Sequence, residues 1–225
     1  MQWVTFVQSI LLRQEIFTFS KQQYQKALVW LVFFHILIIA SSNYLVQLPM
    51  NVLGFHSTWG ALSFPFIFLA TDLTVRIFGA MLARRIVFFA MVPALVISYV
   101  VSNLFVDGQW MGWQVLTTFD LFTARIAIAS FCAYCIGQLM DIFVFNKLRQ
   151  NRQWWVAPSV SAVFGNAVDT ASFFSIAFYK TDDEYLANNL LEIACVDYGF
   201  KIIVCVLFFL PLYGTLLKYL MKKIT

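Results

Sequence analysis

Six ionisable side chains and one carboxamide stand inside long apolar runs of this sequence, and their spacing suggests a chemistry. Asp72 and Arg76 lie four residues apart, as do Asp197 and Lys201, so on a helix each pair shares a face and can neutralise itself. Asn166 and Asp169 are three apart and share a face too, with Gly165 before them and Thr170 and Ser172 after, the most polar patch in any of the runs. With Arg125 the set holds three acids against three bases. Such balance is expected of a buried network that is neutral overall, because an unpaired charge in a low dielectric changes protonation or fails to insert. Glu192, about one and a half turns outward of Asp197, would guard the mouth of such a site. A carboxylate and a carboxamide on one wall can read the edge of a planar heterocycle, the acid accepting N–H groups while the amide offers both a donor and an acceptor. A guanine-like edge would be held that way.

The elements that position these groups follow from composition. The chain is 61% hydrophobic and 12% charged, against roughly 25% charged in soluble domains. Apolar runs at 27–48, 59–83, 86–106, 120–143, 155–179 and 191–217 are each long enough to cross a bilayer with some tilt. The expected fold is therefore an all-α integral membrane protein with six transmembrane helices, since a barrel would show short alternating strands. Residues 1–26 are expected as a cytoplasmic N-terminal segment able to form an interfacial helix, 27–217 as the transmembrane domain, and 218–225 as a basic cytoplasmic tail. A signal peptide cleaved near Ala40 competes for the first run, but the apolar residues resume past Asn43.

Charge in the connections sets orientation. Arg13, Lys21 and Lys26 precede the first run, Arg84 and Arg85 follow the second, Lys147, Arg149 and Arg152 follow the fourth, and Lys218, Lys222 and Lys223 close the chain. The opposite loops hold one basic residue, Lys180, beside Asp107, Asp182, Asp183 and Glu184. Both termini are then expected to be cytoplasmic. The net charge of +4 is explained by topology, which removes the support for nucleic-acid binding.

Plainer roles stand beside the functional ones. The two pairs could simply pack the bundle, Arg125 could snorkel to the boundary, and Asn166 with Asp169 could bond between helices. His35 has no acid or cysteine at ligand spacing and reads as a core histidine. Cys132 and Cys135 have the spacing of a redox pair, but with Cys195 and Cys205 they fall in apolar stretches and read as small hydrophobes. Trp59, Phe64 and Phe173 are candidates to stack on a base. Pro65, Pro93, Pro158 and Pro211 can bend their helices, and the charge-free stretch 49–58 reads as a loop. No Walker loop, zinc motif, nucleophile elbow or dinucleotide fingerprint is present, so ATP hydrolysis by this chain is excluded and no cofactor or metal is implied.

Several stretches together carry a resemblance: Ser41-Ser42-Asn43-Tyr44-Leu45-Val46-Gln47-Leu48-Pro49, Gly54-Phe55-His56, the run from Ser63-Phe64-Pro65 through Thr71-Asp72-Leu73-Thr74-Val75-Arg76 to Gly79-Ala80, Leu82-Ala83-Arg84-Arg85, Phe164-Gly165-Asn166 with Asp169-Thr170, and Val196-Asp197-Tyr198 with Lys201. With these the chain closely resembles bacterial queuosine precursor transporters of the vitamin uptake transporter type. The resemblance covers most of the chain and weakens before residue 26 and in the loops. It implies a multi-pass inner-membrane importer that brings 7-cyano-7-deazaguanine, or a related 7-deazaguanine base, into the cytoplasm for queuosine synthesis, and not an enzyme. It leaves energy coupling and homo-oligomerisation open; Asp72 and Asp169 are the proton-carrier candidates. The base is expected to pass between the last three spans and to be held by Asn166, Asp169 and Asp72, with spans one to three and four to six as halves of an alternating-access device. The alternatives are a substrate-binding subunit that needs a partner ATPase, and a membrane-embedded enzyme or its scaffold.

Overall fold

The computed structural model describes residues 19–45, 48–52, 55–180 and 189–224. The first helix, α1 (Lys21–Leu45), opens on a capping box: Ser20 N–H donates to Gln23 Oε1 at 2.9 Å, and Gln23 N–H donates to Ser20 Oγ at 3.2 Å. The helix therefore starts six residues before the first apolar run. Most of the segment expected ahead of it, 1–18, lies outside the described residues, as do Asp182, Asp183 and Glu184.

The stretch expected as a plain loop is an antiparallel hairpin of β1 (Pro49–Val52) and β2 (Phe55–Thr58), in the register Pro49 to Thr58 and Val52 to Phe55. The expected span 59–83 is not one helix. It divides into α2 (Gly60–Ser63) and α3 (Pro65–Phe78), separated at Phe64 because Pro65 has no N–H to continue the ladder and instead takes the first position of a new helix. It then stops at Gly79, whose φ of 89° only glycine adopts freely. The next helix, α4 (Ala80–Leu104), begins at once, so Arg84 and Arg85 lie in its first turns instead of a loop; Pro93 sits within it without ending it. A second small hairpin follows, β3 (Phe105–Val106) and β4 (Gln109–Trp110), turned by Asp107 and Gly108, both at positive φ.

After a 3₁₀ turn, α5 (Leu121–Leu148) starts on Asp120, whose carboxylate accepts the Thr123 N–H at 2.7 Å. The next helix is α6 (Val156–Phe178). The last apolar run holds α7 (Leu190–Val204), a π-helical segment over Cys205–Phe209, and α8 (Leu210–Ile224). The Leu210 N–H reaches back five residues to Cys205 O, and Pro211 follows directly. A proline cannot donate to the preceding turn, so the helix admits one extra residue ahead of it.

The ends of these elements sort into two sets. At one end Tyr44, closing α1, donates to Gly108 O at 3.3 Å and packs its ring on Phe105, while the Trp59 N–H donates to Leu48 O, so both hairpins lie together. At the other end Phe19 packs on Phe78 with the rings tilted, and Arg76 reaches the turn between α5 and α6. The chain from Trp59 to Gly79 thus runs from the hairpin end to the arginine end. Among the described residues five helices are long and apolar enough to cross a membrane: Lys21–Leu45, Ala80–Leu104, Leu121–Leu148, Val156–Phe178 and the run Leu190–Lys222. The protein is a mostly helical, multi-pass membrane protein.

The central packing is α5 against α6. A methyl on Gly137 would lie 3.0 Å from Asp169 Cβ, and one on Gly165 would lie 3.0 Å from Asp141 Cβ. Each helix therefore sets a glycine opposite the other's aspartate, which is how two backbones carrying carboxyl side chains come this close.

Candidate functional site

Two polar groups are built into that interface. The first centres on Lys201 of α7, 8% exposed, whose ammonium donates to Asp197 Oδ2 at 2.7 Å, Asp169 Oδ2 at 3.1 Å and Thr170 Oγ1 at 3.2 Å. Thr170 also donates to Asp197 Oδ2 at 3.0 Å. Three donors meet three acceptors, so the ammonium is satisfied, although two carboxylates share one cation.

The second group centres on Asp72 of α3, 4% exposed. Ser161 of α6 donates to its Oδ1 at 3.2 Å, and Asp141 of α5 packs against the same helix one turn on, at Gly165. Asp141 is fully buried, and neither of its oxygens has a fixed donor. Next to Asp72, Thr71 donates to Gln138 Oε1 at 2.5 Å, which leaves the buried Gln138 Nε2 without an acceptor. Asn166 gives its amide hydrogens to Ala162 O at 2.7 Å and Cys205 Sγ at 3.7 Å, and its Oδ1 receives none. Cys205, at the π segment, lines one cavity with Asp72 while accepting from Asn166. A cavity of about 30 Å³ beside Asp72 is lined by Phe68, Ala162, Cys205, Phe209 and Tyr213 among others. That is room for about one water molecule and not for a heterocycle.

The expected residues distribute unevenly. Asp72, Asn166, Asp169, Asp197 and Lys201 are gathered here. Arg76 does not neutralise Asp72 despite the four-residue spacing. Its Nε donates to Tyr213 OH at 3.0 Å, its other nitrogens donate to Arg149 O and Trp154 O, and its guanidinium lies 5.1 Å from the Phe145 ring centre. In return Arg149 Nη1 donates to Val75 O at 3.2 Å. Each arginine reaches the C-terminal end of the other's helix, Arg76 at Arg149 O and Arg149 at Val75 O, which also takes the Gly79 N–H, and there the helix dipole favours a cation.

Arg125 is likewise apart, donating to Ile176 O at 2.7 Å and to Tyr179 O at the end of α6. Glu192 is exposed in the first turn of α7. The expected balance of three acids and three bases is therefore not realised: the two groups hold four carboxyls, Asp72, Asp141, Asp169 and Asp197, and one lysine, bonded to Asp169 and Asp197, because both arginines go to backbone carbonyls. Of the aromatic candidates, Trp59 is exposed, Phe173 packs with Phe174 and Phe178, and Phe64 meets the cavity wall through Phe68. His35 bonds to Tyr134 OH at 3.1 Å, while its Nε2 is unpartnered. Among the described residues no group of His, Cys, Asp and Glu could hold a metal ion.

Gln138 and Asp141 were not among the expected residues. Asp141 falls two residues from the end of the run 120–143 and so reads as a boundary charge, but α5 continues to Leu148 and carries it inward. A signal for both does exist: Gly137-Gln138-Leu139-Met140-Asp141 and Gly165-Asn166-Ala167-Val168-Asp169 repeat one pattern of glycine, amide and aspartate on the two helices that meet.

Comparison with known proteins follows this geometry. Residues 58–216 match the model of a family described as "Putative vitamin uptake transporter". The chain is 61% identical over 206 residues to the queuosine precursor transporter of Escherichia coli K12, covering 92% of this chain and 93% of that one. It is 52% identical over 218 residues to the "Probable queuosine precursor transporter" of Haemophilus influenzae Rd, with the same two shares. A more distant relative of the same description in Bacillus subtilis 168 is 24% identical over 144 residues, 61% of this chain and 63% of its own. No solved structure matches the chain.

Proposed function

Because the chain belongs to the vitamin uptake transporter family, we propose that it imports a queuosine precursor, 7-cyano-7-deazaguanine or a related 7-deazaguanine base, across the bacterial inner membrane into the cytoplasm. It is a transporter and not an enzyme. In this reading α2 and α3 together make the second of six crossings, both termini and the arginine end are cytoplasmic, and residues 27–217 form the transport domain with short cytoplasmic segments either side. The positive charges at that end support the orientation.

The observation that carries the reading is the pair of buried amides with one unanswered atom each, the Gln138 Nε2 donor and the Asn166 Oδ1 acceptor, near a largely apolar cavity whose lining includes Asp72. A buried polar atom left unmet costs roughly 1–3 kcal/mol, so such atoms are kept where a ligand answers them. A deazaguanine offers a ring carbonyl to a donor and ring or exocyclic N–H groups to an acceptor. The Lys201 group stands beside this position and holds α6 to α7. The test is uptake of labelled 7-cyano-7-deazaguanine by cells that cannot make it, and by the purified chain alone in liposomes. Asn166→Leu and Asp169→Asn, at normal membrane levels, are expected to lose most uptake. Wild-type uptake in both variants would refute the site, and uptake by the chain only with an ATPase partner would make it a binding subunit.

A further inference from the structure

Among the described residues five buried side-chain nitrogen and oxygen atoms lack a partner, and three of them belong to one helix: Gln138 Nε2, Asp141 Oδ1 and Asp141 Oδ2 of α5. Both residues are wholly buried, and three positions apart they share a face. Distance decides which amide atom of Gln138 is free. Thr71 Oγ1 lies 2.5 Å from the bonded one, within the range of O–H···O bonds and short of N–H···O bonds, so the oxygen is engaged and the Nε2 donor remains. An ionised carboxylate offers acceptors only. This face of α5 therefore presents one donor followed by two acceptors.

The matching motif on α6 is answered within the chain. Asp169 follows Gly165 and Asn166 as Asp141 follows Gly137 and Gln138, but Asp169 takes the Lys201 ammonium at 3.1 Å. Asp141 has no such cation. Over it lies α3: Thr71 is bonded to Gln138, and the Phe68 ring and Asp141 Oδ1 meet at Gly165, 2.8 and 3.5 Å from the place a methyl would take there. This short helix is interrupted at both ends, at Phe64 before Pro65 and at Gly79, so it can withdraw from α5 without unwinding.

We propose that Gln138 and Asp141 read the 2-amino-6-oxo edge of the base when α3 withdraws, a proposal that rests on the reading of the chain as an importer of a 7-deazaguanine. Gln138 Nε2 donates to the 6-oxo oxygen. The two Asp141 oxygens accept the adjacent ring N–H and one hydrogen of the 2-amino group. That edge runs acceptor, donor, donor, the complement of the three atoms on α5. A remaining N–H of the base is left for Asn166 Oδ1. The subsite thereby sets specificity: a 2-oxo base turns an acceptor toward an acceptor, a 6-amino base turns a donor toward a donor, and a base without the 2-amino group leaves one carboxylate oxygen unmet.

Uptake of a series of labelled bases, by cells with and without the chain, tests this. The wild type is expected to take up 7-deazaguanine about tenfold or more better than 7-deazahypoxanthine, which lacks the 2-amino group, and better still than 7-deazaxanthine, which has oxygen there. A hydrogen bond lost to a charged group is worth about 10–100-fold. Asp141→Asn exchanges one acceptor for a donor and is expected to reverse the order, with 7-deazaxanthine preferred to 7-deazaguanine. Gln138→Glu exchanges the donor for an acceptor and is expected to move preference to the 2,6-diamino base. A merely structural role for either residue would lower uptake without moving preference. Wild-type uptake that does not distinguish the three bases overturns the subsite while leaving the importer reading intact. So do variants, present at normal membrane levels, that lose every base alike or keep the wild-type order. Wild-type cells that take up no 7-deazaguanine base overturn the importer reading itself. Should neither variant reach the membrane, the wild-type series decides, and equal uptake of 7-deazaguanine and 7-deazahypoxanthine is the overturning result.

Discussion

A methyl group at position 165 is a direct probe of the α5 and α6 interface. In Gly165→Ala the new Cβ would stand 2.8 Å from Phe68 Cε1 and 3.0 Å from Asp141 Cβ, where carbon atoms rest at about 3.5–4.0 Å. The Phe68 ring can turn aside. Asp141 Cβ is fixed to its backbone, so the helices must part by roughly 0.5–1 Å to restore ordinary contact. Overpacking of this kind costs about 1–3 kcal/mol, while alanine in place of glycine within a helix returns up to about 1 kcal/mol, which leaves a net loss of about 1–2 kcal/mol. For a chain of this size that lowers the unfolding midpoint by roughly 2–8 °C. Gly199→Ala is the control, since nothing lies within 4 Å of its Cβ and only the helix gain remains. The assay is thermal unfolding followed by intrinsic tryptophan fluorescence in one detergent, with uptake measured in parallel. Because the parting carries Asp141 from Asn166, Gly165→Ala should also lose uptake while Gly199→Ala keeps it. A Gly165→Ala protein as stable and as active as the control would refute the close approach and the site built on it.

Two further perturbations separate structural from ligand-binding charges. Lys201→Met leaves Asp169 and Asp197 buried without their cation and should cost about 3–5 kcal/mol, enough to lose folded protein in a solubilised fraction, with Lys201→Met/Asp169→Asn recovering part of it. Equal yields from Lys201→Met and wild type would show that the three contacts of the ammonium carry no weight. Arg125→Ala, which removes donors from the carbonyls at the end of α6, should cost about 0.3–1 kcal/mol in thermal stability and leave the KM for the base unchanged; a raised KM would restore it to the binding site.

The membrane class was legible because it depends on summed hydrophobicity, which no local detail overturns. The break at Pro65 was marked by a residue type, but its outcome was not: a proline can kink a helix or start a new one, and the preceding Phe64 carries no signal that chooses. The Asp197 and Lys201 pair was legible from spacing because both side chains lie on one helix. Spacing failed for Asp72 and Arg76, since the arginine is long enough to reach the ends of other helices, and those ends appear only once the bundle is assembled. Asp141 was hidden by an end assigned too early, at a place where apolarity fades before the helix does.

An apolar furrow of about 570 Å³ separates α1 from α8, and its floor is α3, with Ala70, Leu73, Thr74 and Ile77 among the residues that line it. Thr74 turns its hydroxyl onto Ala70 O at 2.7 Å, so that even this residue offers the furrow no free donor. Asp72 lies across the same helix. The partition between hydrocarbon and the buried acids is thus a single cylinder, about 10 Å through. An acyl chain entering the furrow would press on one side of it while the carboxyls act on the other, so a change of lipid in the surrounding leaflet is expected to bear on the part that holds Asp72.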